Sequence, residues 1–199
     1  MTSRLWTPRI LPLFAMACAV SLFGTTACSS LTRPGAQSAN VTDTVTVFAI
    51  NNTPADAPAG LWLFGEQAVV VNSSFTFDLA FDMDAQGNTT LYTVRYVAGD
   101  LSAAHSVGMQ KISSSYDGLT KAPSSGYVSD SLLTASVGDV FAIQTSDPSA
   151  CSFSVFSNVI YGKVQILAVD PVARTVRTRF TVDPNCGFFS LIPSGTPKD

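Results

Sequence analysis

Residues 75–97 read FTFDLAFDMDAQGNTTLYTVRYV. Phe75, Phe77, Leu79, Phe81 and Met83 are apolar, and Thr76, Asp78 and Asp82 stand between them. A period of two is the period of a strand, so the aromatics belong to one sheet face and the acids to the other. Gln86-Gly87-Asn88 breaks the pattern as a turn would. Residues 89–97 then resume it, with Tyr92, Val94 and Tyr96 on one face. The stretch predicts a β-hairpin.

A second hairpin is as clear. Residues 159–169 are an apolar, β-branched run, and Asp170-Pro171 marks a turn, because proline presets φ and Asp bonds its own backbone. Residues 175–182 alternate, with Val176, Thr178, Phe180 and Val182 inward and Arg177 and Arg179 outward. Further strands are expected at 44–50, 61–64, 68–71, 107–112, 140–145 and 152–156, with loops at 51–60 and 121–130. No segment carries a long apolar stripe of period 3.6, so helices of more than three turns are not expected. Short strands and frequent turns predict an all-β fold, an antiparallel β-sandwich or partly open barrel, as one domain over residues 41–199.

The N-terminal segment is of a different kind. Arg4 and Arg9 precede a mostly apolar run at 10–24, and Thr25-Thr26-Ala27 are small residues before Cys28. That is the pattern of a signal peptide over residues 1–27. The run is interrupted by Pro12 and is shorter than the about 20 apolar residues a spanning helix requires. Thr25-Thr26-Ala27-Cys28 resembles the lipobox of bacterial lipoproteins, departing from it at Thr25, where leucine is usual. The resemblance implies that Cys28 is acylated and becomes the first residue; the alternative is ordinary cleavage nearby. Residues 28–40 read as a flexible tether rich in Ser, Gly, Pro and Ala. Ser30, where an acid would signal retention, implies a lipid-anchored position in the bacterial cell envelope, at the outer membrane.

The whole chain has 11 Lys and Arg against 14 Asp and Glu. Loss of Arg4 and Arg9 leaves 9 cations against the same 14 acids, a net charge near −5. This excludes nucleic acid as a partner, which requires clustered cations, and argues against electrostatic attraction to anionic lipid. Of four cysteines, Cys18 would leave with the signal and Cys28 would carry the lipid that the lipobox resemblance implies. Cys151 and Cys186 remain as a pair in an oxidising compartment, and a disulfide between them is expected, with two buried thiols as the alternative.

Candidate chemistry is sparse. Asp82-Met83-Asp84-Ala85-Gln86-Gly87 has the opening spacing of a calcium loop, but its twelfth position is Thr93 rather than glutamate and its flanks are strand-like, so a solvated turn is favoured. His105 is the single histidine. It is a candidate ligand for a metal or haem, or a general base with a serine and a carboxylate, against an ordinary packed residue. Tyr92, Tyr96, Tyr116, Tyr127 and Tyr161 are candidates to line a ligand groove, or for any one of them to reach a haem iron. No catalytic residue set and no metal site is expected.

Several strings together resemble the HmuY-type β-sandwich lipoproteins of bacterial envelopes. Phe77-Asp78-Leu79-Ala80-Phe81 is similar to their W-D-[IL]-[AG]-F strand, with Phe in place of Trp. Tyr116-Asp117, Ala122-Pro123 and Gly126-Tyr127-Val128 are similar to their linker. Residues 140–145, VFAIQT, and 161–166, YGKVQI, resemble two later strands. The resemblance covers about residues 75–180 and implies a β-sandwich and haem capture through paired histidines. This chain has one histidine to offer. The function expected is therefore that of a non-enzymatic binding or structural module anchored in the envelope, with an envelope protein or a flat hydrophobic molecule as partner and no obligatory cofactor. The alternatives are a haem-binding lipoprotein and, more remotely, a hydrolase using His105.

Overall fold

A computed structural model describes residues 34–99, 105–146, 148–152 and 154–198. The signal segment 1–27, Cys28 and the first part of the tether lie outside the described residues. The chain divides into two units, Met1–Pro34 and Gly35–Asp199, and the second carries the fold.

Among the described residues ten strands run in chain order: β1 (Val41–Phe48), β2 (Gly60–Trp62), β3 (Gln67–Val69), β4 (Leu79–Met83), β5 (Thr89–Thr93), β6 (Val107–Ile112), β7 (Leu132–Ala135), β8 (Val140–Thr145), β9 (Ile160–Asp170) and β10 (Thr175–Asp183). The helices described are α1 (Val94–Ala98), after β5, and α2 (Pro148–Cys151), after β8. The strands form two antiparallel five-stranded sheets, β1-β10-β9-β8-β6 and β3-β2-β4-β5-β7. The fold is an antiparallel β-sandwich. Leu79, Phe81 and Leu91 from the second sheet, with Phe77 just before β4, meet Val47, Phe141, Ile143, Val164, Ile166, Val176 and Phe180 from the first, all with 0% exposure. Burying a side chain of this size stabilises the fold by about 1.5–3 kcal/mol.

The two expected hairpins are present. Leu79 pairs Thr93 and Met83 pairs Thr89 across the first; Asp170 pairs Thr175 and Tyr161 pairs Asp183 across the second. Their tips touch, since a Cβ on Gly87 would stand 2.7 Å from Cγ of Pro171. Gly87 also has φ +84°, a conformation glycine adopts without strain.

The differences from the sequence reading have local causes. The first hairpin is shorter than 75–97. Phe75 takes a left-handed φ of +52°, so the chain enters β4 only at Leu79. Val94–Ala98 is helical because the Thr93 side chain accepts from the Tyr96 backbone N–H and caps the turn. The described residues 152 and 154–156 are turn and bend rather than strand, pinned by bonds to the Ser154 hydroxyl. Strand β7 has no clean alternation, and it forms as the edge partner of β5.

The outer face of the first sheet is covered. Tyr116, Leu119, Ala122, Val140, Ala142, Tyr161 and Leu191 form a second core there. It is built by the segment after β6 and the C-terminal segment, which meet where Lys121 bridges Ser190. Residues 37–40, read as part of a free tether, are attached to this layer. Asn185 Oδ1 accepts from Gln37 and Ser38 N–H at 2.7 and 3.0 Å, and Asn40 Nδ2 donates to the Ser190 and Ile192 carbonyls. Cys151 and Cys186 are joined in a disulfide, with Cα atoms 5.8 Å apart.

Candidate functional site

Position 82 faces outward on β4, opposite Thr90 of β5. Its carboxylate is gripped from two sides. Asp82 Oδ1 accepts from the Asn51 N–H at 3.2 Å and from Arg174 Nη2 at 3.4 Å, and Oδ2 accepts from Asn51 Nδ2 at 2.5 Å. Arg174 closes the β9–β10 turn with φ +52° and also donates to the carbonyls of Asn51, at 2.8 Å, and Met83, at 2.7 Å. One guanidinium thus ties three loops together around one carboxylate.

Beside this cluster Tyr96 folds back over Tyr92. The two residues are four apart, and the single turn of α1 brings their rings to 5.2 Å at 26°, a stacked pair. Tyr96 remains 46% exposed. Burial pushes the Tyr92 phenol above its ordinary pKa, and the Asp82 charge adds to this, so its O–H is a donor at neutral pH. The result is a cleft of about 460 Å³ lined by Asn51, Asp82, Asp84, Thr90, Tyr92 and Arg174, with a shallower recess of about 330 Å³ continuing past Tyr96 and Val97 to Ile50. Such a surface offers ring faces for stacking and amide, hydroxyl and carboxylate groups for hydrogen bonds.

The calcium-like spacing makes a turn. Asp84 Oδ1 accepts from the Gln86 and Asn88 N–H groups, each at 2.9 Å, and Oδ2 accepts from Asn88 Nδ2 at 2.7 Å. These bonds hold the Asp84 carboxyl below its usual range. Among the described residues no three His, Cys, Asp or Glu side chains converge as a metal site.

His105 lies elsewhere, buried between the sheets. Its Nδ1 meets the Phe75 carbonyl at 3.0 Å, and its Nε2 meets Asp78 Oδ1 at 2.9 Å and Thr145 Oγ1 at 3.1 Å. Asp78, read from its alternation as a solvent-facing acid, has 0% exposure and turns inward, with Oδ2 accepting from the Leu63 N–H at 2.6 Å. A catalytic triad places its acid and its nucleophile on opposite ring nitrogens. Here both the carboxylate and the hydroxyl sit on Nε2, and a carbonyl occupies the other side. The Phe75 carbonyl only accepts, so Nδ1–H donates to it, and Nε2 faces the Asp78 carboxyl and the Thr145 hydroxyl. The arrangement is a buried polar bolt across the sandwich.

The five tyrosines divide between two places. Tyr92 and Tyr96 form the cleft wall. Tyr116, Tyr127 and Tyr161 belong to the second core, where Tyr161 stacks on Phe189 at 4.5 Å and the Tyr127 hydroxyl donates to the Pro123 carbonyl at 3.0 Å. Burial raises the pKa of all three, Tyr116 to about 12. Two charged residues the sequence reading passed over stand out. Arg174 had only its place after a turn to mark it. Lys163 is fully buried; it donates to the Tyr116 and Leu119 carbonyls at 2.8 and 2.9 Å and lies 4.3 Å from the Tyr116 ring centre. Burial lowers its pKa to about 8, with Asp117 opposing and Arg179 adding to the shift. A lysine interrupting the apolar run of β9 was the available signal.

No family model, curated protein or solved structure matches the chain.

Proposed function

We propose that this protein is an exported, lipid-anchored β-sandwich of the bacterial envelope that works as a non-catalytic binding module, and that the Tyr92–Tyr96 cleft is its recognition surface. The observation that carries the reading is the pairing of a stacked, half-exposed aromatic wall with the Asp82–Asn51–Arg174 cluster. Aromatic faces and fixed polar groups at one concave site are what selective binding requires. The anchor rests on the lipobox-like Thr25-Thr26-Ala27-Cys28 string. The arrangement around His105 supports structure rather than hydrolysis.

The test is a thermal-shift series on the full-length protein with haemin, maltohexaose, chitohexaose and palmitate as probes. A probe that raises the melting temperature of the parent protein and not that of Tyr96→Ala supports the reading. A shift that persists in Tyr96→Ala moves the site elsewhere. Hydrolysis of any probe, abolished by His105→Ala, would sink the non-catalytic reading. Haemin has a further signature: a saturable Soret band lost in Tyr96→Ala would make the cleft a haem site with a phenolate ligand.

A further inference from the structure

The Asp82–Arg174 cluster of the cleft and residues 37–40 lie toward opposite ends of β9. The Asn51–Asp82–Arg174 side of the cleft sits at the β4–β5 and β9–β10 turns, and Tyr92, opposite Ala80, and Tyr96 extend it along β5. Residues 37–40, Cys151, Cys186 and the start of β9 gather at the other end, separated from the turns by the 11 residues of β9, a length of about 35 Å.

That tether end has an unusual surface. Segments 34–42, 148–162 and 184–197 contain no Asp, Glu, Lys, Arg or His, and the exposed Lys121 meets them at Ser190 with its ammonium over the Phe189 ring. Asp183, which adjoins them, is buried, and its carboxylate accepts from the Asn185 backbone and side chain at 2.9 and 2.7 Å. The cleft end, in contrast, carries Asp82, Asp84, Asp170 and Arg174. At the uncharged end Val155 is 86% exposed and Phe156 42%. They are held out by a turn in which Ser154 Oγ accepts from the N–H groups of Phe156 and Ser157, at 3.4 and 3.2 Å, and Ser157 Oγ accepts from that of Val159 at 3.1 Å. The disulfide fastens this turn to Cys186, whose neighbour Asn185 grips Gln37 and Ser38.

Gln37 lies nine Cα–Cα steps after Cys28. Fully extended they span about 30 Å, and as a relaxed coil about half that. A lipid on Cys28 would therefore keep the uncharged end near the bilayer. We infer that the disulfide-bonded end rests on the membrane surface with Val155 and Phe156 among the lipid headgroups, which turns the Tyr92–Tyr96 cleft away from the membrane. The inference rests on the lipid-anchor reading above. Val155 and Phe156, in a segment without charged residues, enter the interface without desolvating a charge of their own, and the anchor supplies the second attachment that a single chain needs for stable binding.

The test uses the full-length protein, processed in a bacterium and reconstituted in phosphatidylethanolamine vesicles containing brominated lipid. Phe156→Trp and Val172→Trp are compared, each after subtraction of the parent signal from Trp62. Val172 is 95% exposed at the β9–β10 turn and reports the far end. Bromine quenching at position 156 is expected to exceed that at 172 by about threefold or more, and Val155→Asp in the Phe156→Trp background should lower it by roughly half. Mass analysis of the N-terminal peptide separates the two readings. A lipidated Cys28 with equal quenching at both positions overturns the orientation alone. An unmodified Cys28 overturns the anchor and the orientation together. Far-ultraviolet dichroism identical to the parent establishes that the variants are folded.

Discussion

Replacing His105 by alanine should damage the fold rather than a reaction. The substitution removes the partner of a carboxylate with 0% exposure and leaves Asp78 Oδ1 facing an apolar interior, with only the Leu63 N–H on its other oxygen. It also strips the Phe75 carbonyl of its side-chain donor and Thr145 of its ring contact. Removing one partner of a buried carboxyl–imidazole pair costs about 3–5 kcal/mol, because the remaining group keeps its desolvation penalty without the attraction. For a unit of about 165 residues the unfolding entropy is about 0.35 kcal/mol per kelvin, so the melting temperature should fall by roughly 10 °C. Asp78→Ala should be comparably harmful. Asp78→Ala with His105→Ala should lose less than the sum of the single changes, since the double variant leaves neither group without its partner. Urea denaturation followed by far-ultraviolet dichroism gives the four free energies, and a coupling of about 2 kcal/mol is expected. A loss below about 1 kcal/mol in His105→Ala, with additive behaviour in the double variant, would refute the reasoning, since it would mean that water already screens the pair.

Other outcomes follow from other parts of the molecule. Replacement of both Cys151 and Cys186 by alanine reopens a 35-residue separation and should cost about 4 kcal/mol on the chain-entropy account, read as a lower urea midpoint. Gly87→Ala meets both a positive φ and the Pro171 ring, so it should cost about 1–2 kcal/mol and weaken any probe bound in the cleft. Arg174→Ala should open the cleft, costing about 2 kcal/mol in stability and binding of the same probe, whereas Arg177→Ala on the exposed face should change neither by more than about 0.5 kcal/mol. Lys163 releases its proton near pH 8 in the fold and near 10.5 in the unfolded chain, so between those values the unfolded state holds the extra proton and stability should rise with pH, by at most about 1.4 kcal/mol per unit. Lys163→Met should flatten that rise between pH 8 and 10; above pH 10 the buried tyrosines reverse the slope, because their phenols ionise first in the unfolded chain.

What could be read from the sequence depended on whether a local pattern had one structural answer. Both hairpins were legible because alternation and turn chemistry agree there: Gly87 supplies a positive φ, and Asp170 Oδ1 accepts from the Val172 and Ala173 N–H groups at 2.9 Å. The Cys151–Cys186 pairing was legible by elimination. Alternation failed at Asp78 because it assigns a face only while the strand lasts, and the bend before Leu79 rotates Asp78 into the interior. It failed at 94–97 because Thr93 caps a helical turn, and no strand pattern encodes a cap. Half of the cleft wall was named in advance, as Tyr92 and Tyr96. Their polar partners were not, because Asn51, Asp82 and Arg174 meet only through the contact of three turns distant in sequence.

Lys163 and the Asp78–His105 pair bear on where specificity lies in this fold. Sheets of alternating β-branched residues tolerate register slips unless something penalises them, and a slip by one residue sends every side chain to the other face. In β9 such a slip would move Lys163 from the second core into the space between the sheets, away from the Tyr116 and Leu119 carbonyls that accept its protons. It would also place a side chain where Gly162 now lets the Thr181 carbonyl come within 3.0 Å of a would-be Cβ. On the opposite sheet, a slip of β4 would carry the chain at Asp78 out of reach of His105 and leave both groups buried without partners. Each buried charge therefore costs stability in the correct structure and costs far more in the alternatives. The two bolts lie on either side of the first sheet and fix the register of the central strands, while the polar cluster around Asp82 fixes the turns that shape the cleft. The charges retained inside this weakly charged protein thus define the position of its tyrosine wall, although none of those inside the cores is available to a ligand.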